Sequence, residues 1–485
     1  MLRGHRGLAW MMPILILVLT SVGYGQVQTS EEPIYPQAAF VGKLELSPDH
    51  GPAGTVVTAT GTGLPTNATM DLVWHTVRGS WVLKGSNREE YHGRRFDLEV
   101  VPLTRVTTDA RGQFRAQFRV RKDYGWHHDV MLMQDQVIRN KAAFKLDMQM
   151  RVAPTRGPVG TPITIVAEGI GWQNLENSWM VLYDNRFTGW LSSVTTGGLA
   201  RVIIPATGGP GKHIIQIIHG WATVPYMNMQ QSPRPDRPTF TFEFTVTEGG
   251  PVLPPAATAQ ALPIRRAATP GGTGPAIWAD LALAPVGTAF RVFGRGLSPR
   301  ETVELIWTTV VGSRVSGEGW GDKASPLAKA VVDERGAFTM ALTVPDDVGG
   351  PHAIVARIGD KTVAETSLTI TPSAFALQPA SGPVGTVFTV HLKGVGWTET
   401  ANIYHVVYDN AYVGYACGFN SQGDVEIFLR ATGEPGWHFI DLYPGIYRGR
   451  EVPGVQNFRI PQLTYAADHP GERLPAFRFA FFVKK

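Results

Sequence analysis

The 485-residue sequence contains a single cysteine, Cys417, so no disulfide can form within one chain. Its equivalent in a sister repeat is Ser192, so nothing structural is expected to depend on the thiol. Charged residues are scarce, 17% against about a quarter in ordinary globular proteins. That argues against long solvated helices, and no helical periodicity persists beyond two turns. The formal charge of +4 is small for this length and the basic residues are scattered, which leaves no nucleic-acid footprint. After residue 25 no apolar run is long enough to cross a bilayer.

Motifs of catalysis are missing too. There is no Gly-x-Ser-x-Gly, Ser-x-x-Lys, His-Glu-x-x-His or Cys-x-x-Cys-His. No helix follows Gly294-Arg295-Gly296, so these are turn glycines and not a phosphate loop. No Asp-rich loop has the six to eight oxygens a calcium site requires. The reading is a non-enzymatic chain with no cofactor and no metal; its rival is an enzyme, or an accessory module of an extracellular carbohydrate-active system, acting on polysaccharide.

What is present is glycine (54), proline (36) and a repeated phrase. Gly-Pro-Val-Gly-Thr stands at 157–161 and 382–386, Gly-Pro-Ala-Gly-Thr at 51–55 and Ala-Pro-Val-Gly-Thr at 284–288. Each is followed by a β-branched run, a Gly-x-Gly and a hydrophobic strand, the mark of tandem copies of one small domain. The second and fourth copies align without a gap at an offset of 225, from Gly157/Gly382 to Gly220/Gly445. The first and third share an offset of 233 through Ser80/Ser313, which falls to 224 by Asp109/Asp333. The first copy therefore carries nine extra residues, around Lys84 to Arg95.

Within each copy the period is two. Trp179, Val181 and Tyr183 share one strand face, as do Tyr404, Val406 and Tyr408. Some seven short strands per 90–100 residues is the pattern of an Ig-like sandwich. The sequence thus predicts an all-β chain of four tandem Ig-like β-sandwich modules ordered A-B-A′-B′. Their spans are 44–148, 149–247, 280–372 and 373–485, the last with an extended C-terminal tail. A Pro/Gly/Ala-rich stretch, 248–279, reads as an extended, semi-flexible linker between two halves that fold separately. Residues 26–43 read as a lead-in.

The first 25 residues read as a secretory signal peptide. Arg3, His5 and Arg6 precede an apolar core from Leu8 to Leu19, and Gly23-Tyr24-Gly25 supplies small residues for cleavage. The mature chain, from Gln26, is expected in the periplasm or at the cell surface, with no membrane span once the signal is cleaved.

The pattern Pro-x-x-Gly-Pro-x-Gly-Thr, β run, Gly-x-Gly, strand, Asp-turn, Gly-x-Phe, Pro, Gly-x-His resembles bacterial Ig-like repeats, including the IPT/TIG type. The resemblance covers nearly all of the mature chain. It implies the sandwich fold and leaves function open, because such modules serve adhesins, enzymes and scaffolds alike.

Several residues invite a functional reading. His128, His213, His352 and His438 occupy one equivalent position after a Gly-rich turn. One per module cannot converge on a metal, so each is expected to bond its own turn. Asp184-Asn185 and Asp409-Asn410 read as tight hairpin turns. Tyr183 and Tyr408 are expected to be buried, with a bonded hydroxyl. The B modules carry more aromatics than a sandwich core needs. Trp190, Trp221, Tyr226, Tyr415, Trp437 and Tyr447 are candidates for a sugar platform, for a protein contact, or for packing between modules. Lys84, Arg88, Arg94 and Arg95, in the nine-residue excess, are expected to form a partner-binding loop. The partner would be a protein or a surface polysaccharide.

Overall fold

A computed structural model describes residues 28–29, 39–84, 90–221, 224–232, 237–255, 261–313, 319–448 and 459–485. The signal-like segment and most of the lead-in lie outside them. The described chain is all-β, with no α-helix. No helix in it is long and apolar enough to cross a membrane.

The strands gather into four pairs of facing sheets. In module B a three-stranded sheet joins Gln149–Ala153, Pro162–Glu168 and Ala200–Pro205. The facing sheet runs Arg156–Pro158, Phe240–Thr247, Gly211–Trp221, Trp179–Tyr183, Arg186–Leu191. B′ repeats this order with Ser373–Ala374, Val387–Lys393 and Val425–Arg430 against Ser381–Pro383, Phe477–Lys484, Gly436–Gly445, Ile403–Tyr408 and Ala411–Cys417. Strict alternation drives the pairing. Pro162–Glu168 and Val387–Lys393 bury every second side chain, so each sheet has one apolar face to cover. Ile163, Ile165, Val181, Ile215 and Phe244 meet in one core, and Phe388, Val390, Val406, Ile440 and Phe479 in its sister. Separate cores lie between the sheets of A and of A′.

The repeated phrase joins the two sheets of each sandwich. The threonine N–H donates to the proline carbonyl at Thr55/Pro52 (3.2 Å), Thr161/Pro158 (3.1 Å), Thr288/Pro285 (3.3 Å) and Thr386/Pro383 (3.1 Å). The glycine before it adopts φ between +79° and +95°, where a side chain would be strained. Its N–H donates across to Val120, Ala206, Val344 or Ala431. Just upstream, a short strand pairs in parallel with the last strand of the module, as Arg156–Pro158 does with Thr245–Thr247.

Modules A and B meet as A′ and B′ do. Asp123 accepts from Trp74 Nε1 (3.0 Å) and Thr76 Oγ1 (2.7 Å); Asp347 accepts from Trp307 Nε1 (2.8 Å) and Thr309 Oγ1 (2.9 Å). The backbones then touch. Gly125 N–H donates to Ile170 O, and Gly349 N–H to Val395 O. A Cβ on Gly125 would fall 1.8 Å from Gly169 O, so the Gly-Ile-Gly-Trp phrase serves the seam between modules as well as its own turn.

Two expectations need correcting. The described residues of the excess in A, Lys84 and 90–95, are strand residues of a lengthened hairpin and not part of a loop. Its strands Thr69–Lys84 and Glu90–Thr107 have 16 and 18 residues, against 12 and 13 for Thr302–Ser313 and Gly319–Val331 in A′. The linker is held at both ends, because its backbone groups find partners in the modules. Val252 N–H donates to Val159 O of B (2.9 Å), and Ala276–Ala279 is already a strand of A′.

Candidate functional site

The four equivalent histidines bond their own turns. Each Nε2–H donates to the carbonyl four residues earlier: His128 to Tyr124 (2.7 Å), His213 to Gly209, His352 to Val348 and His438 to Glu434 (2.8 Å each). The Asp-Asn pairs form left-handed turns, with φ of 49° and 61° at Asp184-Asn185 and 48° and 61° at Asp409-Asn410. The aspartates do more than turn. Asp184 accepts from Ile214 N–H and faces His213 Nδ1 at 2.6 Å. Tyr183 is buried and donates to Thr207 O at 2.9 Å. Among the described residues no group of three His, Cys, Asp or Glu could hold a metal.

The elongated hairpin of A reaches across B to the C-terminal segment of B′, and the three meet in a buried joint. Trp81 stands edge-on to Trp190 of B at 6.4 Å and tilts against Tyr91 at 6.0 Å. Met180, Leu182, Ile446 and Ile460 close around them. At the centre is Asp468, fully buried. It accepts from Trp81 Nε1 (3.1 Å), the N–H groups of Val194 (2.7 Å) and Thr195 (2.8 Å), and the Thr195 hydroxyl (2.8 Å). Glu399 accepts from Tyr91 N–H (2.9 Å) and pairs with Arg448, which also donates to Tyr91 O. These carboxylates are affordable inside because several donors replace their water.

This geometry sorts the predicted contacts. Trp190 is fully buried and Arg94 nearly so, both inside the joint, so neither is open to a ligand. The Trp190 indole packs in the apolar cluster where A, B and B′ converge, and the buried Arg94 guanidinium interacts there with Tyr91 and Asp468. Lys84 is exposed, and Arg95 is exposed and paired with Asp97 at 2.8 Å. Arg88 lies outside the described residues, as does the side chain of Trp221. Tyr226 is half-buried, 6.3 Å from His219. Trp437 packs against Phe482 at 5.1 Å and lines an apolar groove of about 560 Å³ with Leu253, Pro254 and Pro255 of the linker.

Two candidates come together. Tyr415, 46% exposed, lies 5.6 Å from Tyr447 with the rings inclined by 32°. The Arg459 guanidinium sits 5.4 Å over the Tyr447 ring, while Arg459 O accepts from the Tyr412 hydroxyl (3.2 Å). Behind them His405 is buried, and the loss of solvent pulls its pKa down to about 3. Burial also raises Cys417 at the end of this strand, which makes the thiolate scarce. The result is an aromatic ledge with a fixed cation, suited to stacking and not to proton transfer. Reasoning from sequence misses Trp81, Glu399 and Asp468, whose partners lie hundreds of positions away.

No protein-family model matches the chain, and no curated protein does. Among solved structures it is similar to the Yersinia pseudotuberculosis adhesin InvE, at 14% identity and a TM-score of 0.19, over 42% of this chain and 58% of that one. It is also similar to a Corynebacterium diphtheriae protein named as membrane-anchored, at 10% identity and a TM-score of 0.18, over 68% of this chain and 89% of that one. The chain thus spans 58% of the length of the adhesin structure. TM-scores this low do not extend to a shared arrangement of the whole chain.

Proposed function

We propose that this is an exported, non-enzymatic interaction or scaffold protein of the bacterial cell surface or periplasm, built from four Ig-like modules of the IPT/TIG kind. The observation that carries the reading is the contrast between buried and exposed aromatics. Fully buried Trp190 and partly buried Trp81 lock modules together, whereas exposed Tyr415 lies on half-buried Tyr447 as a ledge on B′. Aromatic clusters left exposed on a rigid body mark interaction sites. A protein partner is the first reading. The second, a surface polysaccharide, is favoured by the paired tyrosine rings beside Arg459, which offer flat faces and a hydrogen-bonding cation to a sugar.

The test is capture from the native envelope with wild-type protein and with Tyr415→Ala/Tyr447→Ala, alongside polysaccharide pull-down. Loss of a captured protein in the double variant supports the first reading, and loss of polysaccharide binding supports the second. Capture of both unchanged would remove the ledge from the function.

A further inference from the structure

Gly189 and Gly414 hold the same place in two sister edge strands, and the fold accounts for only one of them. In B, the segment Pro461–Leu463 lies along the edge strand Arg186–Leu191 as an added parallel pairing. Trp190 N–H donates to Pro461 O (2.8 Å), and Leu463 N–H donates to Trp190 O (2.9 Å). A Cβ on Gly189 would stand 2.7 Å from both Leu463 Cδ2 and Pro461 O, so glycine is what lets the added strand approach. Leu463 enters the core of B through that notch.

B′ repeats the receiving half of this arrangement. Ala411–Cys417 is its edge strand, and the register matches: Val181 faces Gly189 and Val406 faces Gly414, Met180 faces Trp190 and His405 faces Tyr415. By that register the N–H and C=O of Tyr415 point away from the sheet, as those of Trp190 do. The φ of Gly414 is not left-handed, and no described atom lies within 4 Å of where its Cβ would be. No packed neighbour in the described fold therefore requires glycine, although a β-bulge at Val413 precedes it, as one at Thr188 precedes Gly189. Its neighbours are open: Val413 is 57% exposed and Tyr415 46%, where the sister residues Thr188 and Trp190 are fully buried. Ala416 stands where Leu191 fills the edge of the B core.

We propose that the edge Val413–Cys417 is a docking site for an extended segment of another protein, added as a parallel strand with an aliphatic side chain seated over Gly414. Main-chain pairing with Tyr415 would supply the affinity, and the glycine notch the choice of residue. Ser192, which holds Gln462 and Thr464 in B, is replaced by Cys417, so the incoming strand needs no polar residue there. A second copy of this chain is not the donor. Its described segment of this kind, Pro461–Leu463, is already consumed in its own joint. The proposal deepens the interaction reading but rests on the strand edge and not on the tyrosine ring faces.

The experiment uses the full-length protein and a fluorescent peptide copying Arg459–Tyr465, with a scrambled peptide as control. Saturable binding is expected, weakened at least about tenfold by Gly414→Val and unchanged by Tyr447→Ala. The melting temperature of Gly414→Val should stay at or above wild type, which separates a blocked edge from a damaged fold. Binding no better than the scrambled peptide, or equal binding by Gly414→Val, overturns the proposal. So does concentration-dependent self-association that disappears in Gly414→Val, which would give the edge to a second copy. Because Tyr447→Ala tests the ledge and Gly414→Val tests the edge, either can fail alone.

Discussion

Modules B and B′ are sister sandwiches that share their phrases, turns and strand order, yet they meet the rest of the molecule in opposite ways. B lies beneath other parts of the chain: Thr188, Trp190 and Ser192 are fully buried under the B′ hairpin and the C-terminal segment. B′ leaves the later part of the same strand open, with Val413 and Tyr415 exposed, while Tyr412 at its start packs edge-on to Phe187 of B at 6.2 Å. The hairpins differ in the same sense. Asn410 of B′ is buried, donating to Pro205 O (2.8 Å) and Thr207 Oγ1 (3.1 Å) of B, while Asn185 is exposed. The contact is uneven: the equivalent residues Phe187 and Tyr412 meet edge-on at 6.2 Å, but of the two Asp-Asn turns only that of B′ is buried against its sister module. Duplication thus supplied two equal surfaces, and covering one of them left the other available for something else.

The comparison is broken most severely at its aromatic pair. Trp190→Ala should cost about 3–5 kcal/mol, because it empties a fully buried site shared by three modules. Tyr415→Ala should cost less than about 1 kcal/mol at a site 46% exposed. Denaturant unfolding of the two variants measures both, and similar losses would mean that the two edges are equally covered.

The hairpins give a smaller contrast. Asn410→Ala should cost about 1–3 kcal/mol, since it leaves Thr207 Oγ1 and Pro205 O short of a donor. Asn185→Ala should cost about 1 kcal/mol or less, for the left-handed turn alone. Melting curves of the two variants would show the gap, which closes only if B′ does not insert into B.

Acid sharpens the comparison further. His405 occupies the place of Met180, and burial lowers its pKa to about 3. The unfolded chain takes up the proton near the ordinary value while the folded chain resists. The stability at stake is therefore whole at neutral pH and is lost as pH falls through about 6.5 towards about 3. At pH 5 His405 alone accounts for about 2 kcal/mol. Burial lowers His75, His128 and His219 as well, so some acid sensitivity remains elsewhere. His405→Met, which copies the sister module, should flatten the fall in melting temperature between pH 7 and pH 5. An unchanged slope would place the acid sensitivity outside B′.

Much of each sandwich was legible because its signals are local. The alternation along Pro162–Glu168, the glycine and threonine of the repeated phrase and the left-handed Asp-Asn turns all act within a few residues. The covering of B was not legible. Trp81 and Asp468 are 387 positions apart, and no periodicity links an indole to a carboxylate at that distance. Trp190 and Tyr415 look alike in sequence, and what separates them is the C-terminal segment that crosses one and not the other. The basic residues of the long hairpin misled for the same reason. Arg94 has the composition of a solvated loop, but the elongated strands carry it into the joint.

The central claim is that one edge of these sister modules is closed from within the chain and the other is open. Residue-resolved hydrogen exchange on the intact, partner-free protein tests it directly, through the amides of Trp190 and Tyr415. The Trp190 amide, bonded to Pro461 O at 2.8 Å, should exchange only with opening of the joint. The Tyr415 amide should exchange orders of magnitude faster. Equal protection at the two positions would contradict the account.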